Sequence, residues 1–100
     1  MCGIIGLFNF QDKLTLRNEA LKMAQKIRHR GPDWSGSYSD EFCILMHERL
    51  SIVDIENGAQ PLHDVKTQRV LAVNGEIYNH KDVAKNLNKT HDWQTQSDCE

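Results

Sequence analysis

The sequence predicts an α+β fold, a sheet packed against helices. Three features carry that reading. An apolar run from Cys2 to Phe10 opens the chain, one long stretch of helical spacing follows it, and shorter apolar runs recur at residues 42–47, 50–55 and 70–73.

The opening run, CGIIGLFNF, reads as a buried strand, with Gly3 and Gly6 where backbone can be approached closely. Gln11–Lys13 is a turn. From Thr15 to about Arg28, apolar residues fall at Leu16, Ala20, Met23, Ala24 and Ile27, one inward face of a helix that Gly31-Pro32 stops. DWSGSYSD (33–40) has turn composition. FCILMH (42–47) reads as a strand covered on both faces, and LSIVDI (50–55) as a further apolar run. Asn57-Gly58 marks a turn and Pro61 an irregular stretch. Val70–Val73 and Glu76–Tyr78 read as two strands joined by Asn74-Gly75, the strongest short-range hairpin signal and a type I′ turn. Asp82–Leu87 is a short helix with Asp82 as its N-cap. The tail from Thr90 has no clear period.

One hundred residues make at most one small domain with a modest core. Net charge is −2 with basic residues dispersed, which gives no stripe for nucleic acid. The apolar opening is too short to span a bilayer and lacks a secretory leader's basic start and cleavage site, so no membrane partner is expected; the odd, widely spaced cysteines read as reduced thiols, and a cytoplasmic location is expected. Three widely spaced cysteines and five histidines without H-x-x-x-H spacing argue against a disulfide framework and against a metal. The chain stops at SDCE with no completed element behind it, so residues 1–100 are expected to be the front of a larger domain.

Three groups of residues suggest chemistry. If Met1 is removed, Cys2 carries a thiol and a free α-amine. An amine of pKa near ~7.7 is neutral in roughly one molecule in six at pH 7, a usable base where lysine is not. The other reading of Cys2 is a small apolar residue in a strand. Asn74 and Gly75 could together offer two donors to the oxygen of a tetrahedral intermediate, or form a turn and nothing else. Arg49, Glu76 and Asp98 are charges set in apolar surroundings. They are either surface ion pairs or a cradle for a zwitterion, with an arginine fork for a carboxylate and acids for an ammonium.

The blocks MCGIIG, RHRGPDWSG, HERLSIVD, GAQPL, LAVNGEIYNH and TQSDCE, in this order along the whole chain, resemble the glutaminase domain of class II glutamine amidotransferases, and within that class the glutamine-dependent asparagine synthetases. The resemblance implies an N-terminal nucleophile hydrolase fold, a four-layer α/β/β/α sandwich of antiparallel sheets, incomplete within this chain. It implies Cys2 as nucleophile and Asn74 with Gly75 as oxyanion hole. It also implies a glutamine site of Arg49, Leu50, Ser51, Ile52, Val53, Asn74, Gly75, Glu76 and Asp98. Arg30 is assigned a positioning role beside the nucleophile. Cys43, Cys99, His47 and Trp34 are read as structural. The expected partners are L-glutamine, a synthetase domain of the same polypeptide, and a second copy in a homodimer. No cofactor is expected in this chain; ATP and magnesium are implied for the synthetase domain. The alternatives are another class II amidotransferase, such as those making glucosamine phosphate or phosphoribosylamine, and a non-catalytic module on the same scaffold.

Overall fold

A computed structural model describes residues 1–87 and 91–100; Thr90, where the tail begins, lies outside them. The chain is α+β, with two antiparallel sheets and two helices. Its elements are β1 (Gly3–Phe8), α1 (Lys13–Ile27), a 3₁₀ turn (Arg28–Arg30), β2 (Trp34–Ser39), β3 (Cys43–Arg49), β4 (Leu62–Asp64), β5 (Arg69–Leu71) and α2 (His80–Asn86). The first sheet has the order β1-β3-β2, and β4 pairs with β5.

The central strand is β3. Its apolar sequence is covered on both faces, and Ile44, Met46, His47, Glu48 and Arg49 are all buried. α1 lies across β1 and β3 and closes a small core of Ala20, Ala24, Ile44 and Met46, flanked by Ile5, Leu7, Phe10 and Leu16. Burying side chains the size of Ile44 and Met46 stabilises by about 1.5–3 kcal/mol each. Four of the five helix positions expected inside face the sheet side; Met23 instead stands 43% exposed on the helix flank.

Several local expectations are corrected. β1 is an edge strand and not a fully buried one: it alternates, and Ile4 and Phe8 face outward. α1 starts at Lys13, because the Asp12 carboxylate caps it by accepting from the Thr15 N–H at 3.1 Å and from the Thr15 hydroxyl at 2.6 Å. DWSGSYSD is mostly strand β2. Only Asp40 turns the chain, its carboxylate accepting from the N–H groups of Phe42 and Cys43 at 2.7 Å each. α2 starts at His80 after Asn79, two residues before the expected cap.

The largest correction falls on the Asn74-Gly75 hairpin. β5 pairs backwards with β4 and ends at Leu71, and residues 76–78 form no strand. Neither Asn74 nor Gly75 has positive φ, which a type I′ turn demands at both positions. The segment 73–77 is therefore held by something other than a hairpin ladder.

Candidate active site

The site begins with strand register. Gly3 pairs with Glu48 across the β1–β3 ladder, and one further step brings Cys2 to the end of β3. There Arg49 closes the strand and Leu50 leaves it. The Leu50 N–H donates to Cys2 Sγ at 3.4 Å, and the thiol faces the Leu50 carbonyl at 3.7 Å. Arg30, delivered by the 3₁₀ turn after α1, donates from Nε to the Cys2 carbonyl at 3.0 Å. Arg30, expected to position Cys2, thus touches its backbone.

Arg49 is 6% exposed, yet no carboxylate of the described residues lies within 4.0 Å of its guanidinium. Its fork donates to backbone oxygens of the following loop: Nη1 to Ile55 at 3.2 Å, Nη2 to Val53 at 2.8 Å and to Asp54 at 2.6 Å. Neutral carbonyls fix its direction without cancelling its charge. A buried cation held this way keeps a charge that an anion could complement. Gly58 makes room for it, since a Cβ there would lie 2.6 Å from Nη2. The apolar run 50–55 is consequently no strand. It is the loop that wraps Arg49, and its turn is closed by the Gly58 N–H on the Asp54 carbonyl at 2.9 Å.

A cleft of about 100 Å³ joins these parts. Cys2, Arg49, Leu50, Ile52, Val53, Asn74, Gly75, Glu76 and Asp98 all line it. Of the residues expected to bind glutamine, Ser51 alone lies outside. It borders a neighbouring depression shared with Asp33 and Trp34, and its N–H donates to the Asp33 carboxylate at 2.8 Å. Among the described residues, neither the Asn74 side chain nor the Gly75 N–H has a hydrogen-bond partner, and a Cβ on Gly75 would meet nothing within 4 Å. Two donors therefore stand unused at the cleft. Asp98 is brought in by the Ile77 N–H, which donates to its carboxylate at 2.6 Å. The tail carrying Asp98 is folded around Glu100. Burial pushes that carboxyl up, but hydrogen bonds from the Gln94 N–H, from the Thr95 hydroxyl and N–H, and from His91 outweigh it and hold it low.

Compared with known protein families, residues 1–100 match a glutamine amidotransferase domain from end to end. The chain belongs to that family. The chain is 52% identical over its whole length to "Asparagine synthetase B [glutamine-hydrolyzing]" of Escherichia coli. It is 48% identical to "Probable asparagine synthetase [glutamine-hydrolyzing]" of Dictyostelium discoideum and 46% identical to "Asparagine synthetase [glutamine-hydrolyzing] 2" of Oryza sativa subsp. japonica, again over all of the chain. The chain spans 17–18% of the length of these relatives.

Within the amidotransferase domain, the cleft holds residues that the sequence did not single out: Gly58, Gln60, Val73, Ser97 and Cys99. Gly58 and Gln60 stand in the GAQPL block, which carried a resemblance but no role. Cys99 is buried, as expected of a packing residue, and burial raises its thiol pKa; Sγ reaches the Gly75 carbonyl at 3.8 Å. Among the described residues no group of three or more His, Cys, Asp or Glu could hold a metal, and no helix is long and apolar enough to cross a membrane.

Proposed function

We propose that this domain hydrolyses L-glutamine to glutamate and ammonia. The observation that carries the reading is the convergence of Cys2, the uncompensated Arg49, the free donors of Asn74 and Gly75, and the acids Glu76 and Asp98 on one cleft. Met1 is removed, so that Cys2 supplies both sulfur and base. Arg49 takes the substrate α-carboxylate, Glu76 and Asp98 take the α-ammonium, and the backbones of Leu50, Ile52 and Val53 line the approach, with Ser51 one step outside. Arg30 steadies the Cys2 backbone.

The reaction then runs in two halves. The thiol proton passes to the α-amine as Sγ bonds to the side-chain amide carbon. The amide oxygen takes the displaced electron pair, held by the Asn74 side chain and the Gly75 N–H. The oxyanion collapses, the C–N bond breaks, and the amine returns its proton to the leaving nitrogen, which departs as ammonia. Water, deprotonated by the same amine, adds to the thioester, and Cys2 leaves as thiol with glutamate released.

We place the domain in the four-layer nucleophile-hydrolase sandwich, within a glutamine-dependent asparagine synthetase of the cytoplasm, possessing a synthetase domain in the same polypeptide and working as a homodimer. Support for the asparagine-synthetase assignment comes from the 45–52% identity to relatives of that name. The ATP and magnesium of that proposal would activate aspartate outside these hundred residues. The test is ammonia release from glutamine by the full-length gene product and its Cys2→Ala variant. The reading expects glutamine-driven asparagine synthesis to vanish in the variant while synthesis from added ammonia persists. Glutamine-driven synthesis at wild-type rate in Cys2→Ala would refute it.

A further inference from the structure

The segment bearing Asn74 and Gly75 belongs to no sheet, yet the Val73 peptide is gripped on both sides. Its N–H donates to Gln60 Oε1 at 2.6 Å, and its carbonyl accepts from His47 Nε2 at 2.9 Å. Both grips are buried and anchored. His47 is fully buried in β3, the strand that also ends in Arg49. Gln60 is 8% exposed and its backbone lies against Gly36 of β2, where a Cβ would fall 1.7 Å from the Gln60 oxygen. With its Nε2 donating, His47 leaves Nδ1 buried without a partner, a cost borne among the described residues at this side chain alone. A hairpin would have fixed Val73 through a ladder of backbone bonds; here two side chains from the main sheet and its flanking loop do so.

We propose that His47 and Gln60 are positioning residues that clamp the Val73 peptide and so aim the Asn74 amide and the Gly75 N–H at the developing oxyanion. The proposal rests on the oxyanion role given to Asn74 and Gly75 above. His47 lies outside the cleft, and Gln60, which lines it, has its Oε1 engaged by the Val73 N–H. Their effect is felt where donor alignment matters most, in the tetrahedral state, because a misdirected donor loses the bond that strengthens on the way to it.

The test uses the full-length gene product and two ligands: glutamate, a ground-state ligand, and the aldehyde analogue of glutamine, which Cys2 converts to a tetrahedral adduct. Asn74→Ala serves as the reference for lost oxyanion binding. His47→Leu and Gln60→Met are expected to weaken aldehyde binding and lower kcat by about tenfold or more, with glutamate affinity and KM for glutamine within about threefold. His47→Gln, which keeps a donor at the reach of Nε2, is expected to recover most of the loss. Wild-type aldehyde affinity in His47→Leu and Gln60→Met, alongside a weakened Asn74→Ala, overturns the clamp alone. Equal loss for both ligands also overturns it, since that is the mark of general unfolding. If Gln60→Met fails to fold, the contrast between His47→Leu and His47→Gln decides. Unchanged aldehyde affinity in Asn74→Ala overturns the oxyanion role itself.

Discussion

The Asp54 carboxylate accepts the N–H of Gln96 at 2.7 Å across 42 residues of sequence. Asp54 adopts positive φ in the loop that wraps Arg49, and its own carbonyl receives the Arg49 fork. One residue thus ties Arg49 to the tail that carries Asp98. The Gln96 N–H is the largest influence holding the Asp54 carboxyl below the usual carboxylate range. A carboxyl lowered in the folded state stabilises above its unfolded pKa of about 3.8, and that contribution is lost as pH falls through the lowered folded value. Asp54→Ala is expected to speed hydrogen exchange at the Gln96 amide and to raise KM for glutamine about tenfold with kcat within threefold. Unaltered exchange at Gln96 would show that the tail is docked by other contacts.

Arg49 and Asn74 should separate binding from turnover. Arg49 holds three carbonyls and still presents charge to the cleft, a task a lysine's point charge does not reproduce. Arg49→Lys is expected to raise KM for glutamine about 30-fold or more, the loss of a charge-assisted bidentate contact worth about 2 kcal/mol. Asn74→Ala is expected to lower kcat about 10²–10³-fold with KM within about threefold. Steady-state kinetics of the two variants decides; an exchanged pattern would reverse the assigned roles.

His47 gives a pH signature. Burial is the main force lowering its pKa below 6.5, opposed by its bond to the Val73 carbonyl. The unfolded chain therefore binds a proton before the folded one does. The neutral ring contributes full stability above about pH 6.5, and this declines as pH falls from there toward the lowered folded value. An NMR titration of the His47 ring is expected to show a midpoint below 6.5. A midpoint at or above it would mean that the ring is not sealed beneath the Val73 carbonyl.

The sequence was most legible where one period or one motif decided the structure. The inward face of α1 at Leu16, Ala20, Ala24 and Ile27 is visible as a helical period, and the covered strand β3 as a continuous apolar run. β2 was hidden. Its outward Ser35 and Ser37 and its small Gly36 have turn composition, and what makes it a strand is pairing with β3, a non-local fact. The Asn74-Gly75 hairpin does not form for the same reason: the local turn preference yields to contacts from Gln60, His47, Cys99 and Asp98, which lie far off in the chain. The gathering of Cys2, Arg49, Asn74, Gly75, Glu76 and Asp98 at one cleft followed from motif resemblance. The supports beneath them left no local pattern. Gly58 looked like a turn residue, and nothing in its neighbours reveals the guanidinium that its missing Cβ admits.

The central claim is that a terminal cysteine attacks glutamine and supplies its own base. The most direct measurement is peptide mapping by mass spectrometry after the active full-length gene product has reacted with a diazoketone analogue of glutamine. The account predicts one modified peptide, starting at Cys2, with the analogue on its sulfur. An equally active enzyme whose first residue is Met1, or an inactivating adduct on Cys43 or Cys99 with Cys2 untouched, would contradict it.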